Sequence, residues 1–190
     1  MTWDPIHDSR TAFLACLRAQ CTPGRPSGPV PAAGLDDDPV LDTAAAVLLA
    51  LLDPGLGLAV LGVRAEAVGA LLRERTGAHA ADPQDADLVL VGRGALGAPG
   101  LARTGGAATP ERGATLVYCA TEPTSVELSG PGLEHPVRST LCIPAEDLAA
   151  LGTVNGAPPA GVDVFIAGVV DGERVVTALP RSTAVVLEER

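Results

Sequence analysis

Lysine is missing from this sequence, and all 13 basic side chains are arginine. No Schiff base to a lysine can form, so covalent pyridoxal-phosphate catalysis and lysine-dependent aldol chemistry are excluded. A P-loop lacks its lysine as well. Aromatic residues are nearly missing too. Trp3, Phe13, Tyr118 and Phe165 are the whole set, 2% of the 190 residues, so the core must be built from Ala, Val and Leu. Positive charge is in deficit, with 13 basic against 23 acidic residues and a net charge of −10. That balance opposes nucleic-acid binding, which needs a basic footprint, and docking on anionic lipid. The longest uncharged apolar run, Ala44 to Leu52, falls far short of the roughly 20 residues that cross a bilayer. The opening MTWDPIHDSR has neither the basic nor the apolar region of a secretory signal. A soluble, cytoplasmic protein is expected.

Cys16, Cys21, Cys119 and Cys142 include no Cys-x-x-Cys pair. In a cytoplasmic protein a disulfide framework is not expected, and the four read as small buried hydrophobes. Cys16 and Cys21 fall on different faces of one helix. Cys119, His135 and Cys142 are conceivable metal ligands, but zinc-type spacing is absent. No metal site is expected.

What is present suffices for a core: 47% of the residues are hydrophobic and mean hydropathy is +0.29. The length favours one domain. Asp8-Ser9 can cap a first helix, with Phe13, Leu14, Leu17 and Cys21 at helical spacing. Residues 22–37, rich in Pro and Gly, read as an extended connection. The acidic triplet Asp36-Asp37-Asp38 reads as a solvated loop favouring the positive end of the next helix. Asp38-Pro39 starts that helix, which is apolar nearly all round through Leu52 and therefore buried. Leu58 to Leu61 is a buried strand. Val63 to Arg75 is a helix closed by Gly77. Asp87 to Val91 is another strand, and residues 92–113 are a glycine-rich loop. Ala114 to Ala120 and Ser125 to Ser129 suggest a hairpin. Gly130-Pro131-Gly132 is a tight turn, and Pro144 to Asn155 a short helix. Val162 to Val170 and Arg174 to Leu179 join across Asp171-Gly172, a strong hairpin signal. Ala184 to Leu187 is a last strand. Short apolar strands beside helices give an α/β single domain over 1–190, a mixed β-sheet flanked by helices.

Gly92-Arg93-Gly94-Ala95-Leu96-Gly97 matches the dinucleotide pattern G-x-G-x-x-G after a strand. The pattern works only when its third glycine opens a helix toward the pyrophosphate. Pro99 and Gly100 follow at once, and a helix is not expected. No acidic residue stands at a strand end about 20 residues on. His7, His79 and His135 have no serine, cysteine or carboxylate at triad-like spacing, and no catalytic constellation is expected. Pro180-Arg181-Ser182-Thr183 is the better candidate. Arginine beside hydroxyls can hold phosphate oxygens, and Arg138 is a third candidate for the same anion. The competing reading pairs Arg181 with a carboxylate and uses the hydroxyls at a strand break.

The succession FLACLRAQCTPG (13–24), AAAVLLALLD (44–53), RTGA (75–78), TPERGATLVY (109–118), ELSGPGL (127–133), GVDVFIAG (161–168) and LPRST (179–183) resembles the PhnH family, subunits of the bacterial carbon–phosphorus lyase core complex. The chain departs from the family at Pro158-Pro159-Ala160-Gly161, where an aromatic often precedes the glycine, and at Ser182, where a threonine is common. The resemblance implies a fold similar to the pyridoxal-phosphate transferases without that cofactor. It implies a subunit acting with PhnG, PhnI and PhnL to couple a phosphonate to the ribose of ATP with loss of adenine. The product is ribose 1-phosphonate 5-triphosphate, which is later cleaved at its C–P bond by the radical subunit PhnJ. It implies a homodimer when isolated, no cofactor and no catalytic residue to carry over.

Overall fold

The computed structural model describes residues 3–188. Its elements in chain order are α1 (His7–Cys21), α2 (Pro39–Leu51), β1 (Gly57–Leu61), a 3₁₀ turn (Val63–Ala65), α3 (Glu66–Thr76), β2 (His79–Ala80) and β3 (Leu88–Val91). Then follow α4 (Ala98–Leu101), β4 (Thr115–Cys119), β5 (Thr124–Ser129), β6 (Val137–Leu141), α5 (Ala145–Val154), β7 (Asp163–Val170), β8 (Glu173–Leu179) and β9 (Ala184–Leu187). The principal sheet has six strands in the order β2-β1-β3-β4-β7-β8. Its first five strands run parallel, and β8 closes it antiparallel to β7. This is the expected mixed sheet flanked by helices.

The short apolar strands are buried on both faces, and their side chains sort alternately into two cores. Leu58, Leu88, Leu90, Val117, Cys119, Phe165 and Ala167 meet α1, α2 and α3 on one side. Ala59, Val89, Val91, Leu116, Tyr118, Val164 and Ile166 meet α4, α5 and a second sheet on the other. Helix α2 is the hub of the first core, with Val40 to Leu49 all buried, as its all-round apolar sequence requires. Asp38 caps it by accepting a bond from the Val40 N–H, with Pro39 in the first turn.

Four expectations need correction. The proposed hairpin of 114–120 with 125–129 does not exist. β4 lies inside the parallel sheet, while β5 pairs with β6 and β9 in a separate three-stranded antiparallel sheet. The chain changes sheet at one peptide step: the Ala120 N–H donates to Ala167 of the principal sheet, and the Thr121 N–H donates to Cys142, just past β6. The burial patterns carry the reason. β4 is buried along its length, whereas β5 alternates buried and exposed, the mark of a sheet with one solvated face. Second, α1 buries Ala12, Ala15, Cys16 and Ala19, leaving Phe13 and Leu17 about half exposed, at 48% and 50%. It packs on the alanine-rich α2, where only small side chains fit between the axes. Third, α1 starts at His7, where Asp4 rather than Asp8-Ser9 accepts the free N–H groups of Ile6 and His7. Fourth, a single helical turn, α4, does follow Gly97 despite Pro99, because proline is tolerated in a first turn.

The β7–β8 hairpin forms as expected, with Asp171 and Gly172 at φ 50° and 82°. That is the left-handed pair of a two-residue turn. Beyond β8, residues 24–30 run along the open edge. Ser27 exchanges backbone bonds with Val176, and Val30 donates to Arg174. The Pro- and Gly-rich connection therefore covers an edge strand.

Candidate functional site

In an open parallel sheet, ligands sit beyond the carboxyl ends of the strands, where successive connections leave on opposite faces. That point lies here between β1 and β3. The chain leaving β1 forms α3, whose Val68 and Leu72 join the first core. The chain leaving β3 forms α4, whose Ala98 joins the second. The parallel register sets Leu61 opposite Val91 and Val91 opposite Tyr118, so Gly62, Gly92 and Cys119 follow at one level.

A crevice of about 70 Å³ opens at that point, lined by Asp38, Leu41, Gly62, Arg64, Ala65, Gly92, Arg93 and Cys119. Glycine is required at two of these positions. Gly62 has φ 101°, and a Cβ on Gly92 would come within 3.0 Å of the Ala65 Cβ and 3.1 Å of the Leu61 carbonyl oxygen. Arg93 spans the mouth. Its NH1 lies 3.1 Å from Asp38 Oδ2, and its Nε donates to the Ala120 carbonyl at 3.3 Å. The loop before Asp38 is fastened by the buried Asp42, whose carboxylate accepts from the N–H groups of Ala33 (3.0 Å) and Leu35 (2.8 Å). Arg174 NH2 lies 3.4 Å from the same carboxylate. Arg64 is exposed. The arginines in ion pairs among the described residues are 93, 103, 138, 174 and 181, which leaves Arg64 without a carboxylate partner there. Burial pushes the Cys119 thiol up to about 12, Asp38 and Asp36 act in the same direction, and Arg93 opposes them. It stays protonated at neutral pH and is no nucleophile.

The loop from Gly92 to Gly97 is fastened from the second core. Asp147, fully buried, accepts the Gly97 N–H at 2.7 Å on Oδ1 and the Tyr118 hydroxyl at 2.8 Å on Oδ2. Burial, then the Asp147 charge, drives the Tyr118 phenol well above its ordinary range. The Gly97 N–H, which a dinucleotide pyrophosphate would need, is thus consumed inside the protein. α4 is only four residues long. The G-x-G-x-x-G stretch builds a wall of the crevice rather than a nucleotide cradle.

The anion candidates named from sequence lie elsewhere. Arg181, after β8, directs Nε and NH2 to Asp163 Oδ2 and NH1 to the Pro110 carbonyl, while its own N–H donates to Asp163 Oδ1 at 2.8 Å. Ser182 is exposed. Both line an open groove of about 370 Å³ with Asn155 and Thr183, and the buried Thr183 hydroxyl has no partner. Arg138, on β6, pairs with Glu188 at 2.9 Å and does not line that groove. Cys119 is buried on β4, Cys142 is half-buried and His135 is exposed. Among the described residues no three His, Cys, Asp or Glu side chains cluster as metal ligands. All four cysteines are free, and Cys21 is exposed rather than buried.

Sequence reasoning missed Asp38, Arg64 and Cys119 as neighbours of Arg93. The signal available was two apolar strands each followed by glycine and, one or two residues on, arginine: Leu61-Gly62-Val63-Arg64 and Val91-Gly92-Arg93. No described helix is long and apolar enough to cross a membrane. Among curated proteins none matches this chain. The family described as bacterial phosphonate metabolism protein (PhnH) matches residues 2–186 of 190. The chain belongs to the PhnH family, and its role lies in phosphonate metabolism.

Proposed function

We propose that this chain is a non-catalytic structural subunit of the carbon–phosphorus lyase core complex in the cytoplasm. It would act with PhnG, PhnI and PhnL in forming ribose 1-phosphonate 5-triphosphate from ATP and a phosphonate, beside the radical subunit PhnJ. The observation that carries this reading is the family match over nearly the whole chain. The fold would be of the pyridoxal-phosphate transferase kind without its cofactor, and the missing lysine removes the attachment point that such a cofactor uses. Exposed apolar side chains support a role in assembly. Ile6, Phe13 and Leu17 stand at spacings that share one face of α1, and Val186 is exposed on β9. Those surfaces would be covered by partner subunits, or by a second copy when the chain is isolated.

The test is co-expression of a tagged copy with PhnG, PhnI, PhnJ and PhnL from the same host, followed by native mass spectrometry. A stoichiometric complex is the expected result. If the other subunits assemble fully and the chain elutes alone, it is not a core subunit.

The alternative is a stand-alone protein or enzyme for a small phosphorylated ligand held by Arg181 and Ser182, with Arg138 as a further contact. The groove beside Arg181 and the unpartnered Thr183 hydroxyl favour it. The commitment of the Arg181 guanidinium to Asp163 and Pro110 weighs against it.

A further inference from the structure

We propose that the crevice between β1 and β3 binds a tetrahedral oxyanion of the phosphate or phosphonate class, held by Arg64 and Arg93. Neither residue is assigned such a role by membership of the family, and the inference rests on geometry independent of the subunit reading.

Four observations converge. The crevice occupies the switch point of the parallel sheet, where strand ends and diverging connections leave a concavity with polar backbone at its floor. Two arginines line it, just past the ends of adjacent strands. Arg64 has no carboxylate partner among the described residues, and Arg93 spends NH1 on Asp38 and Nε on Ala120, leaving NH2 for a ligand. Planar guanidinium forks match tetrahedral oxyanions. The carboxylate that lines the crevice is already engaged: Asp38 Oδ1 is occupied as the cap of α2 and Oδ2 faces Arg93. Among the side chains lining the crevice the two arginines outnumber the one carboxylate, while Asp36 acts on Cys119 from outside that lining.

Size narrows the ligand. About 70 Å³ holds a phosphate or phosphonate head group, whereas pockets for drug-sized molecules run to roughly 300–1,000 Å³. Glycines at 62 and 92 keep side-chain atoms out of that space. Cys119 at the floor is protonated, so it adds no competing negative charge. The ligand reaches the crevice as an anion and is held without covalent chemistry.

The experiment is titration of the isolated chain with inorganic phosphate and, separately, with methylphosphonate at constant ionic strength. Amide resonances of Gly62, Gly92 and Arg93 report binding, and sodium chloride is the reference. Saturable shifts at those three residues with either oxyanion, and none with chloride, are expected. Arg64→Gln should weaken binding by about tenfold or more, the loss of a charge-assisted contact. It should leave thermal stability unchanged, because Arg64 is exposed and makes no ion pair among the described residues. Arg10→Gln, an exposed arginine on α1, should leave affinity unchanged. The two probes distinguish free phosphate from a phosphonate as the preferred source. No saturable shift at the crevice, equal response to chloride, or full affinity in Arg64→Gln each overturns the proposal.

Discussion

Replacing Tyr118 by Phe removes one oxygen atom and leaves the ring in place, so no cavity opens. Tyr118 is 1% exposed and Asp147 0% exposed. The hydroxyl donates to Asp147 Oδ2 at 2.8 Å, and no other described donor reaches that oxygen. A hydrogen bond to a charged group contributes roughly 1.5–3 kcal/mol, and an unpaired buried acceptor adds its own desolvation cost. We expect Tyr118→Phe to destabilise the protein by about 2–3 kcal/mol. For a chain of this length that lowers Tm by roughly 5–10 °C. Urea titration should show a lower midpoint with unchanged slope. The cost should be coupled to the carboxylate. Asp147→Asn alone also destabilises, and the double variant should lose less than the sum of the two by about 1 kcal/mol or more. A Tyr118→Phe midpoint within about 0.5 kcal/mol of the parent, or strictly additive losses, would refute the claim that this bond anchors the crevice loop.

Three further outcomes follow from other parts of the molecule. Burial pushes the Cys16 and Cys119 thiols from 9.0 up to about 12. The folded state thus keeps protons that the unfolded state releases, and stability present below pH 9 is lost as pH rises toward 12. Each thiol contributes up to about 1.4 kcal/mol per pH unit to that slope, and Cys16→Ala should flatten it in chemical denaturation above pH 9. Gly69→Ala places a Cβ 2.4 Å from Val60 Cγ2. The clash should outweigh the gain in helix propensity and cost about 1–2 kcal/mol net, whereas adding Val60→Ala should recover part of it. Thermal melts of the single and double variants decide this, and equal Tm values would contradict the packing. Arg181→Gln breaks the contacts to Asp163 and Pro110. With both ion-pair partners about one-fifth exposed, the full cost of a broken buried pair is reduced by solvent to about 1–3 kcal/mol. A variant that keeps its Tm but loses binding to a phosphorylated ligand would favour the alternative function over the subunit reading.

Much of the fold was legible because it is local. The Asp38-Pro39 start, the buried run of α2 and the Asp171-Gly172 hairpin depend on residues a few positions apart, and all three stand in the structure. The differences arise where tertiary packing overrides the local pattern. Strands 114–120 and 125–129 look alike in isolation, and only their burial on two faces or one tells a central strand from a half-exposed one. The buried face of α1 was misjudged because large apolar side chains outrank alanine in any pattern. The close contact with α2 reverses that order.

The sequence by itself determined what chemistry is impossible here and which family the chain resembles. Without lysine there is no Schiff base, and with four aromatics the core must be aliphatic. Those statements need only composition and order. The tertiary structure alone decided what meets at the sheet's switch point. Asp38, Arg64, Arg93 and Cys119 come from four separate stretches of chain. Arg93 reaches a carbonyl 27 residues away, and Gly97 a carboxylate 50 residues away. Parallel strands pair over long separations, and their register sets which residues share a level. No local periodicity encodes that register, so the two arginines became neighbours only when the sheet closed around them.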